Sequence, residues 1–434
     1  MHLITFSNLF PSSVTPNHGL FVYERMRRVA DRLREELGDR LRWSVVAPVP
    51  DVLRPLRRGI YQTWAKVPLR ETWQGVDVHH PRFRHWPGLS QNRQADAVRR
   101  GCRKLVASLM REHGPAVLDA HYLWPDGVAA AELARELGLP FTLTARGSDV
   151  NVLGQVEQIA ARLRAVAPQA HACMAVSDAL SQRFAEVAGL PAGSPAHGPA
   201  GGPAGSSERG VVTMRNGVDL TRFAPSDGGE AGEARGAARQ QLGLDANGQI
   251  VLGVGRLVAA KGWVEAARAC AELPDTTLVL VGEGEAQASI AAAAPPGRVR
   301  FLGAQPPERV AVAYRAADAF VLPSHREGWP NVVTEALASG LPVVATRVGG
   351  IPQILAGDPP EPSLGALVDV GDVTALRSGL AAALARVAAD PQGERARVRS
   401  FAERYGWQEP VEQLAAIFQA AARLPCTEIG GTAR

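Results

Sequence analysis

The sequence predicts an α/β protein built from two doubly wound domains. Short runs rich in β-branched residues alternate with longer amphipathic stretches along the 434 residues. This alternation is typical of parallel sheets covered by helices. It is interrupted by a stretch rich in Ala, Gly and Pro at 188–209, which has almost nothing to bury and favours a flexible insertion near a domain boundary. The length also exceeds that of one ordinary domain.

We expect a first domain over residues 1–205 and a second over residues 210–400, with 401–434 as a C-terminal helix and tail able to pack back on the first. Buried strands of the first domain are predicted at His2–Phe6, Trp43–Ala47, Val117–Ala120, Phe141–Thr144 and Ala172–Val176. Those of the second are predicted at Ile250–Val254, Thr277–Val281, Val299–Leu302, Ala319–Leu322 and Pro342–Ala345. Since ligands of open α/β sheets bind beyond the carboxyl ends of the strands, functional residues are expected in the loops that follow them.

Composition and charge exclude several classes of protein. Lys and Arg number 47 against 43 Asp and Glu, so no dominant basic surface or nucleic-acid partner is expected. No run of about 18 apolar residues occurs, so no membrane-spanning helix is predicted. The N-terminus lacks the basic start of a signal peptide. The four cysteines are far apart and form no CxxC pair, so we expect no disulfide framework, no zinc site and a cytoplasmic location.

A glycine-rich loop in the second domain has the features of an anion site. Gly253, Gly255 and Gly262 lie between a predicted strand and a helix, where glycines let the backbone approach a ligand and the helix N-terminus supplies N–H donors. Arg256 and Lys261 add two positive charges, equal in number to the two negative charges of a nucleotide diphosphate linkage. The loop matches neither the full G-x-G-x-x-G pattern nor a P-loop. The alternative is a tight turn with a surface pair of cations.

Two glutamates lie close to the start of a later helix. Pro330 suits the first helical position and Gly340 the residue after the last turn. Glu327 therefore lies in the preceding loop, Glu335 lies about one turn inside the helix, and the helix N-terminus at 329–332 is a second anion site. A carboxylate beside a phosphate site usually accepts hydrogen bonds from sugar hydroxyls. The alternative is that Glu327 caps the helix and Glu335 is solvated.

Together with their neighbours, these motifs resemble the retaining nucleotide-sugar glycosyltransferases of family 4, also called glycosyl transferases group 1. The matching stretches cover most of residues 211–370 and are Met214–Pro225, Val254–Leu257 with Lys261–Gly262, Phe301–Gly303, Leu322–Ser324 with Glu327 and Glu335, Gly340–Thr346 and Gly349–Gly350. The resemblance implies the GT-B fold, in which two Rossmann-like domains face a central cleft. Gln353 stands where the family's Gly-Gly-x-Pro motif is usually followed by Glu. We expect this departure to alter a neighbouring contact rather than to abolish activity.

The resemblance implies roles for the motif residues of the second domain. Arg256 and Lys261 would hold the donor diphosphate and stabilise its charge. Glu327 would contact hydroxyls of the transferred sugar and Glu335 the ribose. The start of the helix would complete the donor site with Trp329, Asn331 and Val332.

The first domain matches the family more loosely. Gly19 follows the first strand in a loop whose backbone would lie close to the donor phosphate, unless the loop is only a surface turn. His121 aligns with the family histidine that reaches the donor sugar; by itself it would be a structural hydrogen-bonding residue. Arg146-Gly-Ser-Asp149 resembles the family's His-Gly-Ser-Asp loop. The permanent charge of Arg146 would face a phosphate or an anionic acceptor, with Asp149 beside it or capping the next turn.

Two basic surfaces of the first domain are candidates for a peripheral membrane contact. The helix predicted at Glu24–Leu37 carries an apolar stripe, with Arg25, Arg27, Arg28, Arg32 and Arg34 elsewhere. It is either an ordinary sheet-covering helix with a solvated basic face or a docking surface for an anionic membrane that presents a lipid-linked acceptor. The second surface is formed by Arg82, Arg84, His85 and Trp86.

The function expected is sugar transfer from a nucleotide-diphosphate donor, UDP- or GDP-linked, to a hydroxyl of a glycan or a lipid-linked acceptor. Retention at the anomeric carbon is implied by the resemblance, and the cations of the donor site make a metal or other cofactor unnecessary. Two alternatives remain open, a GT-B epimerase or phosphorylase and a non-catalytic nucleotide-sugar-binding partner protein. A phosphorylase would need a lysine that carries pyridoxal phosphate, and only Lys66, Lys104 and Lys261 are available.

Overall fold

The computed structural model describes residues 1–88, 91–191, 210–225, 231–245, 247–356 and 364–424. Most of the predicted insertion, from 192 to 209, and the tail beyond 424 lie outside the described residues. The chain forms two compact units. Unit 1 comprises Met1–Asn216 together with the C-terminal helix that begins at Gln408, and unit 2 comprises Gly217–Trp407.

Unit 1 is built on an eight-stranded sheet in the order β10-β9-β8-β7-β1-β2-β5-β4. Neighbouring strands are parallel except β4, which runs antiparallel to β5, and β3 and β6 form a separate parallel pair. The strands are β1 His2–Phe6, β2 Arg42–Val46, β3 Val49–Asp51, β4 Arg70–Trp73, β5 Val76–His79, β6 Arg82–Arg84, β7 Ala116–His121, β8 Phe141–Ala145, β9 Ala172–Ala175 and β10 Val211–Thr213. The central strands are buried throughout, as expected of a parallel sheet covered on both faces.

The described helices of unit 1 follow its strands. They are α1 Leu20–Leu37, α2 Ile60–Trp64, α3 Gln94–His113, α4 Val128–Leu137, α5 Ser148–Asn151, α6 Glu157–Val166, α7 Asp178–Ala188 and the C-terminal helix, α16, at Gln408–Ala422. The C-terminal helix packs on α1, and Arg32 of α1 binds Glu412 at 2.6 Å.

Unit 2 has a six-stranded, fully parallel sheet in the order β13-β12-β11-β14-β15-β16. Its strands are β11 Gln249–Val254, β12 Thr276–Val281, β13 Val299–Phe301, β14 Ala319–Leu322, β15 Val343–Thr346 and β16 Gly365–Val368. Its described helices are α8 Ala231–Gln241, α9 Trp263–Ala271, α10 Gln287–Ala292, α11 Pro307–Ala316, α12 Asn331–Ala338, α13 Ile351–Ala356, α14 Val373–Ala389 and α15 Pro391–Ala402.

The strand order reverses once in each sheet. In unit 1 the reversal lies between β1 and β7, and in unit 2 it lies between β11 and β14. The loops after these strand pairs diverge to opposite faces of the sheet and leave a crevice at its carboxyl edge, where doubly wound proteins bind ligands. These loops contain Gly19 in unit 1 and Arg256, Lys261 and Glu327 in unit 2, whereas Arg146 and Asp149 follow the neighbouring strand β8.

The domain boundary lies later than the expected break at 205–210. Residues 211–213 form β10, which pairs in parallel with β9 of unit 1, so the first unit extends to Asn216. Unit 2 likewise continues past residue 400 to Trp407. The Cβ of any larger residue at Gly217 would lie 2.6 Å from the Cα of Trp407, so the entry and exit points of unit 2 are in contact.

Helix α1 differs from its prediction in its start, which was expected at Glu24, and in the position of Arg25. It begins at Leu20 and buries Met26, Val29 and Leu33, as the apolar stripe predicts. Arg25, which was expected on the basic face, is fully buried. Arg27 and Arg32 form ion pairs one turn away with Asp31 and Glu36, and Arg28 pairs with Glu24. The basic face of this helix is therefore largely neutralised by its own carboxylates.

Candidate active site

In unit 2, the loop between β11 and α9 is held by close backbone contacts. Gly262 is the residue before α9 and has a left-handed backbone, with φ 67° and ψ 22°. A Cβ at this position would lie 2.1 Å from the carbonyl oxygen of Pro323, so only glycine fits. The indole N–H of Trp263 donates to the carbonyl of Arg256 at 2.8 Å. These contacts hold the glycine-rich loop against the end of β14.

The two loops at the switch point of unit 2 are joined by an ion pair. Nζ of Lys261 lies 2.5 Å from Oε1 of Glu327, and the side chains are 20% and 11% exposed. The loop of Glu327 is held in turn by the backbone of Gly350, whose N–H donates to the carbonyl of Gly328 at 2.8 Å. The predicted phosphate-binding lysine and the predicted sugar-binding glutamate are thus adjacent.

Arg256 has a different environment from Lys261. Its side chain is exposed, and it makes no ion pair with any residue that the structure describes. Its backbone is fixed because the next residue, Leu257, donates to the carbonyl of Glu283 at 2.8 Å. The guanidinium of Arg256 is therefore available to an anionic ligand above the loop.

Glu335 lies in α12 at the predicted position, about one turn from its start. The hydroxyl of Tyr314 donates to Glu335 Oε2 at 3.0 Å and is also 3.1 Å from the carbonyl oxygen of Val332. Burial raises the pKa of Tyr314 well above its usual range, and the Glu335 carboxylate raises it further. Tyr314, which the sequence analysis missed, therefore stays a neutral donor that orients the carboxylate.

Helix α12 begins one residue later than predicted. Pro330 is the residue before its first turn rather than the first helical position, and no side chain caps that turn. Glu327 is therefore not the helix cap, because it binds Lys261 instead. The predicted donor-site residues Trp329, Asn331 and Val332 surround this N-terminus, where the dipole of the helix favours an anion.

In unit 1, Gly19 has the same backbone geometry as Gly262. It precedes α1 with φ 67° and ψ 22°, and a Cβ there would lie 2.1 Å from the carbonyl carbon of Leu9. Each unit therefore connects the first strand beside its switch point to the following helix through a left-handed glycine. Only glycine satisfies both the conformation and the close approach at this position.

His121 ends β7 inside a buried polar network. Nη2 of Arg146 lies 2.5 Å from His121 Nδ1, and His121 Nε2 lies 2.7 Å from Asp119 Oδ2. Asp119 also accepts a hydrogen bond from the hydroxyl of Thr142 at 2.8 Å. Arg146 reaches Asn216 Oδ1 at 3.2 Å as well.

The protonation of this network follows from its burial. Burial lowers the pKa of His121 to about 4, and the charge of Arg146 lowers it while that of Asp119 raises it. The imidazole is therefore neutral near pH 7, with Nδ1 accepting from Arg146 and the proton on Nε2 facing Asp119. Contact of His121 with a donor sugar would require the ring to give up one of these contacts. Arg146 keeps part of its surface exposed, so it is the member of the network that faces outward.

Asp149 is buried, and its carboxylate binds backbone N–H groups. Its carboxylate accepts hydrogen bonds from the N–H groups of Leu123 at 2.8 Å, Gly147 at 2.7 Å and Arg146 at 3.1 Å. Asp149 lies in the first turn of α5 and binds N–H groups that precede this helix, so it does not cap a following turn. With both oxygens occupied and no exposed surface, this carboxylate fixes the turn that carries Arg146.

Arg25 is a second buried cation, although the sequence predicted it on the basic face of α1. Its Nη2 donates to the carbonyl of Met214 at 2.6 Å, and its Nε and Nη1 have no hydrogen-bond partner among the described residues. Burial lowers its pKa, and the nearby charge of Arg146 lowers it further. A buried arginine carries no signal in a single sequence, because its position in the helix matches that of exposed arginines.

Among the described residues, no group of three or more His, Cys, Asp and Glu side chains is arranged to hold a metal ion. Nor does any described helix combine the length and the apolar character that a membrane crossing requires. Metal independence stays a prediction.

The family model for glycosyl transferases group 1 matches residues 234–403. The putative teichuronic acid biosynthesis glycosyltransferase TuaC of Bacillus subtilis is 30% identical over 358 residues, which are 81% of this chain and 82% of that protein. The chain belongs to the group 1 glycosyltransferases. A D-inositol 3-phosphate glycosyltransferase of Segniliparus rotundus is 36% identical over 226 residues, 48% of this glycosyltransferase and 46% of that protein.

Solved structures confirm the predicted fold of this glycosyltransferase. Sucrose-phosphate synthase from Thermosynechococcus elongatus matches with a TM-score of 0.69 at 19% identity, over 96% of this chain and 98% of that chain. HepE from Anabaena, solved in complex with UDP, matches with a TM-score of 0.65 at 19% identity, over 97% and 100%. The two Rossmann-like units are those of a GT-B glycosyltransferase.

Proposed function

We propose that this glycosyltransferase moves a sugar from a nucleotide-diphosphate donor to a hydroxyl of a glycan or lipid-linked acceptor, with retention and without a metal ion. The observation that carries the proposal is the pairing of Lys261 with Glu327, beside Arg256 and the start of α12. This part of unit 2 combines cations for a diphosphate with a carboxylate for sugar hydroxyls. A donor linked to UDP or GDP fits it, and the binding of UDP by HepE supports the first of these.

The proposed chemistry depends on the charge that develops on the leaving group. As the bond between the anomeric carbon and the diphosphate oxygen breaks, that oxygen gains negative charge. Arg256, Lys261 and the N–H groups at the start of α12 stabilise this charge without the metal that other enzymes use. Loss of one such contact commonly costs about 10²–10³ in rate.

Retention follows if the acceptor attacks from the face that the diphosphate leaves. The acceptor oxygen forms the new bond to the anomeric carbon, and its proton passes to an oxygen of the departing phosphate. No carboxylate nucleophile is required. Glu327 positions the sugar through its hydroxyls, and Arg146 lies at the outward end of the network in unit 1, suited to a phosphate or an anionic group.

We also propose that the protein works in the cytoplasm, peripherally at the inner face of a membrane. Segment 52–69 supports this better than α1 or the patch at Arg82–Trp86. It exposes Leu53, Leu56, Ile60 and Leu69 by 46–67%, beside the exposed cations Arg54, Arg58 and Lys66. Apolar side chains flanked by cations favour the surface of anionic lipids. Leu56→Ser with Ile60→Ser should abolish sedimentation with phosphatidylglycerol vesicles, and phosphatidylcholine vesicles should bind neither protein.

The function is tested by nucleotide release from UDP-, GDP- and ADP-sugars, without acceptor and with EDTA. We expect slow release from one donor, which is lost in Lys261→Ala and in Glu327→Ala, while Lys104→Ala, an exposed lysine of α3, releases nucleotide like the wild type. Tight donor binding without any release, with or without acceptors, would instead indicate a non-catalytic binding protein. Dependence on an added metal would overturn the metal-independent mechanism.

A further inference from the structure

Unit 1 contains a cavity of about 270 Å³ at the carboxyl edge of its sheet. Asn8 follows β1, Pro48 follows β2, His80 follows β5 and Tyr122 follows β7, and all four line the cavity. It therefore occupies the part of the sheet where doubly wound domains bind their ligands. Its volume lies just below the range of about 300–1,000 Å³ for drug-sized ligands, which fits a single ring better than a long chain.

Aromatic side chains form one wall of the cavity. Tyr61 and Trp64 of α2 face it, with ring centroids 5.7 Å apart. The ring centroid of His85 lies 5.6 Å from that of Tyr61 and 6.3 Å from that of Phe83. Rings of this kind offer a rigid apolar face. The carbon-bound hydrogens on one side of a pyranose match such a face.

Polar groups among the lining residues complement the hydroxyls of a sugar. Ser12 Oγ lies 2.9 Å from Thr15 Oγ1, and His18 Nε2 lies 3.0 Å from the carbonyl oxygen of Asn8. These residues belong to the loop between β1 and Gly19. The cavity therefore shares its wall with the loop expected at the donor phosphate, and Tyr122 joins it to His121.

The lining carries no permanent charge. Among the described residues that line the cavity, none is Asp, Glu, Lys or Arg. Arg82, the neighbour of the lining residue Phe83 in the chain, donates to the carbonyls of Trp64 and Val67. Glu71 is engaged by His80 at 2.9 Å and by the N–H of Ser13. Burial also lowers the pKa of His80 and of His85, so that both rings are neutral near pH 7.

We propose that this cavity is the acceptor site and that it takes an uncharged pyranose, neither phosphorylated nor a uronate, stacked on Tyr61 and Trp64. An anionic ring would have to leave water for a site without a counter-charge, which is costly. The inference rests on the proposed function, because it assigns the acceptor of that reaction. An uncharged acceptor would distinguish this chain from its relative in Segniliparus rotundus, which is named a D-inositol 3-phosphate glycosyltransferase.

The test compares neutral and anionic acceptors on the full chain. Methyl hexopyranosides and N-acetylhexosaminides are each assayed beside their phosphate or uronate counterparts, by nucleotide release and by quenching of tryptophan fluorescence in the presence of the nucleotide. We expect neutral sugars to bind and to stimulate release, and their anionic counterparts to be at least about tenfold weaker. Equal or better binding of the anionic counterparts would overturn the inference, as would a cavity that binds alkyl chains and no sugar.

Three variants locate the site. Trp64→Ala should raise KM for the neutral acceptor about tenfold with a smaller change in kcat, because one stacking partner is lost. Gln62→Ala, an exposed residue on the same helix, should leave KM unchanged. Gln94→Arg adds a cation to the lining at a half-exposed position and should shift the preference toward anionic acceptors. An unchanged preference in Gln94→Arg together with an unchanged KM in Trp64→Ala would place the acceptor elsewhere.

The two proposals fail in different ways. If the chain were not a transferase, no acceptor would stimulate nucleotide release, although fluorescence would still report sugar binding in the cavity. If only the acceptor assignment were wrong, nucleotide release would respond to acceptors without discrimination by charge or dependence on Trp64.

Discussion

Lys261 Nζ lies 2.5 Å from Glu327 Oε1, although the two residues are 66 positions apart in the chain. Each is the predicted contact of a different part of the donor, the diphosphate for the lysine and the sugar for the glutamate. Their charges neutralise each other in a site that is mostly buried. The carboxylate therefore competes with the diphosphate for the charge of Lys261.

This competition predicts opposite effects on binding and turnover. Glu327→Gln should bind UDP or GDP up to about fivefold more tightly, since a partly exposed ion pair is worth up to about 1 kcal/mol. Turnover should fall, because the contact to the sugar hydroxyls is weakened. Calorimetry with the nucleotide and initial-rate kinetics measure the two effects. Weaker nucleotide binding in this variant, with Lys261→Ala as the reference for loss of the cation, would contradict the competition.

The left-handed glycine before α1 predicts a specific loss of stability. Gly19→Ala places a methyl group 2.1 Å from the carbonyl carbon of Leu9, in addition to the roughly 1–2 kcal/mol that a left-handed backbone costs an L-residue. Gly189→Ala is the matched control, because Gly189 has nearly the same backbone with φ 64° and ψ 32° and only the side chain of Arg164 within 4 Å. Urea unfolding should show a clearly larger loss for Gly19→Ala, and equal losses would exclude the close approach.

The buried histidine at the end of β7 predicts how stability depends on pH. An unfolded His121 takes up a proton near pH 6.5, whereas the folded one does so only near pH 4. Protonation in this window favours the unfolded chain, so the stabilisation is complete above pH 6.5 and is lost as the pH falls toward 4. The contribution is at most about 3 kcal/mol.

Unfolding free energies of the wild type and of His121→Asn, measured from pH 7 to pH 4.5, test this dependence. Asn offers Arg146 an acceptor but does not titrate. The slope should therefore be shallower in the variant, although not flat, because burial also lowers the pKa of His2 to about 4. Identical slopes would mean that His121 has the same pKa in the folded and in the unfolded chain.

The carboxylate of Asp149 predicts a structural defect. Asp149→Asn replaces one acceptor oxygen by a donor that faces backbone N–H groups, so the variant should lose about 2 kcal/mol of stability. The turn that carries Arg146 should loosen. Asp39→Asn, in an exposed position after α1, should be neutral. An Asp149→Asn protein of normal stability with a raised KM for the acceptor would instead restore the acceptor contact that was expected from the sequence.

Much of the fold follows from local pattern. The strands that are central in each sheet were predicted within one or two residues, because buried parallel strands are short apolar runs bounded by turn residues. Six strands were not predicted: β3, β4, β5, β6, β10 and β16. Of these, β3, β6 and β10 have only three residues each, and β10 is a strand only because β9 offers it an edge.

Some features of the candidate site could likewise be predicted from the sequence, and others could not. The sequence by itself determined the βα alternation, the glycine-rich loop, and the placement of Arg256, Lys261, Glu327 and Glu335 after particular strands. Each of these features depends on a few residues that are close together in the chain. Only the tertiary structure decided that Lys261 pairs with Glu327 and that Arg146 contacts His121. It also decided that Arg25 is buried and that the aromatic residues of α2 line an uncharged cavity. Such contacts depend on which strands become neighbours, such as β11 beside β14 and β1 beside β7, and strand order is settled by packing between distant segments.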